Sequence, residues 1–128
     1  MEIRKEKARK EKNRTRYSTF ILNDYLNDMD KMCASIKVKK TRFLDKSLKL
    51  AFDLYNENKY EFLQMSEDIT DNGNYEKSSY STSLDRNDIS KIEDISVETG
   101  LNKYQIINKG ISLLLNKCKE DYYEFFNI

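Results

Sequence analysis

From Ser79 to Leu115 the chain spells a short alternating segment, an amphipathic helix stopped by glycine, and a second helix opened by a capping residue. A weaker copy of the same order lies upstream, from Tyr17 to about Tyr55. In the downstream copy, alternation sends Tyr80, Thr82 and Leu84 to one face of a strand and Ser79, Ser81 and Ser83 to the other. Asp85 to Asp88 is a polar turn, with Asn87 or Asp88 placed to cap the helix that follows. Ile89, Ile92 and Ile95, joined by Ser96, then form one apolar stripe on a helix of about three turns. Gly100 supplies the left-handed residue that ends it, and Asn102 caps the next helix. The buried face of that helix is Ile106, Ile107, Gly110, Ile111, Leu114 and Leu115. Glycine inside a helix costs roughly 1 kcal/mol against alanine, so Gly110 makes sense where another backbone approaches closely.

The upstream helices align with the downstream ones at an offset of 63 positions (106 − 43). Phe43 and Leu44 answer Ile106 and Ile107, Ser47 answers Gly110, Leu48 answers Ile111, and Ala51 and Phe52 answer Leu114 and Leu115. Leu26, Met29 and Met32 answer Ile89, Ile92 and Ile95. The upstream strand is expected over Tyr17 to Leu22 at an offset of 62, with Phe20 and Leu22 inward and Tyr17, Thr19 and Ile21 outward. Phe20 decides that choice as the costliest residue to expose, although a slip of one residue swaps every side chain. Between the copies runs a polar cluster, Ser66 to Ser79, with a turn signal at Asn72-Gly73. The expected organisation is a basic arm (1–16), a first unit with an extended second helix (17–65), a polar linker (66–78), a second unit (79–119) and an acidic aromatic tail (120–128).

Charged residues make up 35% of the 128 positions, so any core is small. No apolar run approaches the roughly 20 residues of a membrane span, and Met1 to Arg16 is too polar for a secretory signal. A cytoplasmic protein without membrane association is the expectation. Cys33 and Cys118 fall at core-type helical positions and read as buried free thiols. With no histidine and no paired cysteines, no metal or other cofactor is expected. Nor is an enzyme, for want of a nucleophile motif, a glycine-rich phosphate loop or paired carboxylates in a plausible cleft. The net charge of +1 conceals an asymmetry: the first 16 residues hold eight basic and three acidic side chains, a net +5, leaving −4 for the rest. A basic arm on a weakly acidic body is compatible with an anionic partner.

The stretch Glu98-Thr99-Gly100-Leu101-Asn102-Lys103-Tyr104-Gln105-Ile106-Ile107-Asn108-Lys109-Gly110-Ile111 resembles the helix-turn-helix seam of the ribbon-helix-helix superfamily of bacterial and plasmid DNA-binding proteins. Val38 to Leu48 is similar to the same seam, but with Lys37 in the glycine position and Lys39 in the cap position. The resemblance implies a mainly α fold with a short two-stranded antiparallel ribbon. A single copy of about 40 residues has unpaired strand edges and too little core to stand alone. The expected architecture is therefore a tandem ribbon-helix-helix chain folded as an intramolecular pseudo-dimer, with pairing between chains as the alternative.

By the same resemblance, outward ribbon residues read bases in the major groove of double-stranded DNA: Tyr17, Thr19 and Ile21 from one strand, Ser79, Ser81 and Ser83 from the other. Phosphates are expected at the start of each second helix, beside Lys39, Lys40, Thr41 and Arg42 in one copy and Asn102, Lys103 and Tyr104 in the other. Arg14 and Arg16 of the arm join them. Because the copies differ, an asymmetric DNA site is expected. Single-chain duplication and a basic arm point, by family analogy, to a plasmid transfer factor (an accessory protein beside a relaxase) or a maintenance factor. A transcriptional repressor or antitoxin of the same fold is the alternative, with a relaxase or further copies of the chain as candidate partners. A module that docks a protein through Asp121 to Ile128 is the remaining one.

Overall fold

The computed structural model describes residues 13–70 and 75–128. Most of the basic arm and the Asn72-Gly73 turn signal lie outside these residues. Strand β1 (Arg14–Leu22) leads without a loop into α1 (Asn23–Ile36), followed by α2 (Lys40–Glu57), α3 (Lys59–Leu63) and α4 (Glu67–Thr70). Strand β2 (Lys77–Asp85) leads in the same way into α5 (Arg86–Thr99), then α6 (Lys103–Lys117) and a closing 3-10 helix (Tyr122–Asn127). The fold is mainly helical with one two-stranded antiparallel sheet.

Both strands, both first helices and the starts of both second helices recur 63 positions apart. Ser18 pairs with Ser81, its own counterpart, so the strands cross at equivalent residues. Even the hydrogen bonds beyond the ribbon match: Asn23 N donates to Glu76 O at 3.0 Å, and Arg86 N donates to Asn13 O at 2.9 Å. The duplication also runs further than the helix pairs. Tyr60-Glu61-Phe62 recurs as Tyr123-Glu124-Phe125, and both phenylalanines are fully buried. Asn58 accepts from Glu61 N, as Asp121 accepts from Tyr123 N, to start each short helix. The C-terminal tail is therefore the counterpart of α3 and folds back onto the core, with the Phe125 ring stacked 6.4 Å from that of Phe43.

The core lies between the inner ribbon face and the four long helices. Ile21, Phe43, Leu48, Ile92, Ile106 and Ile111 are among its fully buried side chains, each contributing roughly 1.5–3 kcal/mol by leaving water. Helices α2 and α6 cross at Ser47 and Gly110. A Cβ on Gly110 would lie 2.5 Å from the Ser47 carbonyl oxygen, so the close approach expected from sequence is real and only glycine fits. Cys33 and Cys118 are free and buried, and burial pushes the Cys33 thiol up to about 11.

Turn chemistry follows the sequence in the second half and departs from it in the first. Gly100 ends α5 in the left-handed conformation at φ 77°. Lys37 adopts the same conformation, φ 57°, at the end of α1. The cap of α5 is Asp85, whose carboxylate accepts from Asn87 N at 2.8 Å, rather than Asn87 or Asp88. The second strand runs to Asp85 and hands over directly, leaving no separate turn. Residues 66–78 are only partly linker: Ile69 of α4 is buried, and β2 has begun by Lys77.

The larger correction concerns β1. It starts at Arg14, and its inward residues are Tyr17, Thr19 and Ile21, all three expected to face outward. Ile21 is 0% exposed and Thr19 9%, whereas Phe20 is 46% exposed on the outer face. The true offset of the strands is 63, the same as that of the helices, and it aligns Tyr17-Ser18-Thr19 with the identical Tyr80-Ser81-Thr82. Three inward side chains outweigh the cost of one exposed ring. Leu22 needs no inward place in the pleat, because the turn into α1 buries it.

Candidate nucleic-acid interface

The outer face of the ribbon presents Arg16, Ser18 and Phe20 from β1 and Ser79, Ser81 and Ser83 from β2. Across the ladder Arg16 lies opposite Ser83, Ser18 opposite Ser81, and Phe20 opposite Ser79. The serine face of β2 stands where the sequence puts it. Ser18 and Phe20 were missed, and the repeated Tyr-Ser-Thr triplet was the signal that finds them. Arg16, expected beside a phosphate, belongs to the ribbon face itself. Its Nε donates to Ser81 Oγ at 2.9 Å, a cross-strand bond that fixes the guanidinium over the middle of the ladder.

Arg14 has a different task. Its two terminal nitrogens donate to both Asp45 carboxylate oxygens at 3.0 and 3.1 Å, and one of them also donates to Ser83 O at 2.7 Å. Such a forked pair is directional as well as strong. It matches a neutral contact in the other half: fully buried Asn108 donates through Nδ2 to Phe20 O at 2.9 Å and accepts from Leu22 N at 3.1 Å. Asp45 and Asn108 stand 63 positions apart, as do Ser83 and Phe20. Each second helix therefore grips one strand, by Asn108 directly and by Asp45 through Arg14. Arg14 holds the ribbon in place and is not a free phosphate contact.

At the two helix N-termini the equivalent residues Lys40 and Lys103 each meet a carboxylate from the preceding helix. Lys40 Nζ lies 3.0 Å from Asp30, and Lys103 Nζ lies 3.6 Å from Glu93. Asp30 and Glu93 are themselves 63 positions apart. The hydrogen bond to Asp30 raises the Lys40 ammonium above its ordinary value. Tyr80 senses Lys40 and Asp30, and Tyr17 senses Glu93; burial raises both phenols. Tyr17, expected among the base readers, thus lies on the inward face as Tyr80 does.

The other expected phosphate residues are spread more widely. Lys39 is exposed at the N-cap of α2 without a side-chain capping bond, and Thr41 is half-buried. Asn102 is the N-cap of α6, and its backbone N–H donates to Gln105 Oε1 at 2.9 Å. Tyr104 is half-buried beneath Lys77, whose Nζ sits 4.9 Å from the ring centroid. Arg42 is drawn toward the C-terminal tail, 5.5 Å from the Phe125 ring centroid and 5.4 Å from that of Phe126.

The arrangement offers hydroxyl, guanidinium and aromatic groups along one narrow ribbon, with equivalent lysines at the starts of the two second helices. Among the described residues no group of His, Cys, Asp or Glu is placed to hold a metal ion, and no helix is long and apolar enough to cross a membrane. Comparison with protein-family models, curated proteins and solved structures gives no match to the chain.

Proposed function

We propose that the chain binds double-stranded DNA by laying the β1–β2 ribbon in the major groove, its two halves acting as a tandem ribbon-helix-helix pseudo-dimer. The observation that carries this reading is the outward ribbon face whose two ends meet the early turns of the second helices, at Arg14–Asp45 and Lys77–Tyr104, where both helices start with a lysine at equivalent positions. The major groove is wide enough for a two-stranded ribbon. A helix N-terminus with its unsatisfied N–H groups and dipole favours a phosphate, and a lysine beside it adds charge. Pairing of equivalent residues across the ladder supports a two-unit reading, as does the Ser47–Gly110 crossing.

Binding of a duplex, followed by fluorescence anisotropy against salt, tests it. One chain per site and a steep salt dependence are expected. Replacing both Lys40 and Lys103 by alanine lowers the magnitude of the logarithmic salt slope by about 2. Duplex binding unchanged by that double substitution overturns the reading.

Within DNA binding, the reading we favour is a plasmid transfer factor beside a relaxase, or a maintenance factor, with a repressor or antitoxin as the alternative. Family analogy supports that preference, through the duplication within one chain and the basic arm. Protection of a transfer origin or a centromere-like repeat supports it; protection confined to a promoter supports the alternative. A protein-docking role for the tail draws on Tyr123 and Phe126, which stay exposed while Phe125 is buried. Serine at both exposed positions, with duplex binding intact and a protein partner lost, favours that second reading.

A further inference from the structure

The two strands of the ribbon are equivalent in backbone and unequal in what they present. At the three outward positions β1 carries Arg16, Ser18 and Phe20, and the equivalent positions of β2 carry Ser79, Ser81 and Ser83. Ser18 and Ser81 are both counterparts and partners, so the relation between the halves passes through that pair. The backbones of Arg16 and Phe20 therefore lie on opposite sides of it, two residues away in each direction, and the bond to Ser81 brings the Arg16 guanidinium back over the middle. Both large outward groups come from one strand, and each faces a serine across the ladder.

Each group has a definite chemistry. Arg16 spends Nε on Ser81 Oγ, and among the described residues its two terminal nitrogens have no hydrogen-bond partner. A guanidinium held this way presents a planar two-donor fork, which matches the O6 and N7 acceptors of guanine in the major groove. Phe20 has no donor or acceptor on its side chain and leaves 46% of its surface in water. In the major groove the apolar feature available to it is the thymine methyl group. Serine hydroxyls accept or donate to any base, so the β2 positions discriminate weakly. Phe20 stands two residue steps from the Ser18–Ser81 pair over which that guanidinium is held, about 7 Å or roughly two base pairs.

We propose that this chain reads DNA with a fixed polarity: Arg16 selects a guanine near the centre of the site and Phe20 selects a thymine to one side of it. The proposal rests on the ribbon entering the major groove as proposed above, and it adds the bases and their order. Its chemistry belongs to this chain's own unequal strands. The serine triplet on β2 makes the second strand a spacer, and among the described residues no second apolar group stands on the other side of the centre.

Selection from a randomised duplex library with the full chain, the Arg16→Ala variant and the Phe20→Ala variant tests it. Both residues are exposed on the outer face, and a thermal melt confirms that the variants remain folded. The expected selected site is non-palindromic, with a guanine near its centre and a thymine about two base pairs to one side. Arg16→Ala should erase the guanine preference alone and weaken the selected site roughly 10–100-fold. Phe20→Ala should erase the thymine preference alone, and uracil at that thymine should reproduce its effect in the unaltered protein. A palindromic site, a site without base preference, or preferences untouched by both substitutions overturns the proposal while leaving DNA binding in place. Absence of duplex binding at any salt concentration removes the underlying reading and this proposal with it.

Discussion

Gly110 meets the backbone of Ser47 so closely that a Cβ at position 110 would lie 2.5 Å from the Ser47 carbonyl oxygen and 2.9 Å from its carbonyl carbon. The glycine is a penalty within its own helix and a requirement for the helix pair. It lets α6 settle against α2, and with each helix the one strand it grips.

Gly110→Ala is therefore expected to destabilise the chain. Overpacking against backbone costs about 1–3 kcal/mol, more than the roughly 1 kcal/mol that alanine returns through helix propensity. A net loss of up to about 2 kcal/mol should appear as a lower midpoint in urea unfolding. Ser47→Ala should not rescue it, because the clash is with the main chain of Ser47 and not with its hydroxyl, which donates to Phe43 O at 2.9 Å.

Lys37 occupies the left-handed conformation that Gly100 occupies in the second half. A side chain there strains the backbone by roughly 1–2 kcal/mol, partly offset because glycine makes the unfolded chain more flexible. Lys37→Gly should raise stability by about 0.5–1 kcal/mol, and Gly100→Lys should lower it by a similar amount. The open space around Gly100 makes the second a test of backbone strain alone. Thermal melts of the two variants should shift in opposite directions.

The lysines at the helix starts are held by Asp30 and Glu93, which a phosphate must outcompete. Removing those carboxylates by Asp30→Asn with Glu93→Gln should tighten duplex binding by several-fold. Stability should change by less than about 1 kcal/mol, as for other exposed pairs. Affinity measured at fixed salt checks the first expectation, and unfolding checks the second. Weaker DNA binding by this variant contradicts phosphate contact at these lysines.

Asp88 carries a carboxyl raised above its ordinary value of 3.8 by partial burial, and further by Asp85 and Asp45. A raised folded value means the fold favours the protonated group. Its contribution is fully present below 3.8 and lost as pH rises through the folded value. Asp88→Asn should accordingly raise the unfolding midpoint at pH 7, and its advantage should shrink as pH falls toward 3.8. An advantage independent of pH excludes the carboxylate cluster as its cause.

Helix positions were legible because each carries its own periodicity. Ile92, Ile95, Ile106 and Ile111 are buried as their spacing predicts, and Phe43, Leu48 and Ala51 with them. The face of β1 was misread because alternation gives two self-consistent registers and Phe20 looked decisive. The duplicated Tyr-Ser-Thr triplet settles the register once the strands are held to the same offset as the helices. The tail was less legible: Tyr123-Glu124-Phe125 repeats Tyr60-Glu61-Phe62, yet its acidic, aromatic composition fits docking a partner as well as folding back on the core.

By itself, the order of residues determined a strand, a stopped helix and a capped helix written twice, with small residues at one crossing point in both copies. Local periodicity and capping are properties of neighbours along the chain, so they survive without knowledge of the fold. Only the tertiary structure decided that Arg14 would serve Asp45 and Ser83, and that Asn108 would hold Phe20 O and Leu22 N. These are contacts between segments distant in sequence. Their partners are chosen by which apolar faces must share one core, and periodicity within a segment carries no record of that choice.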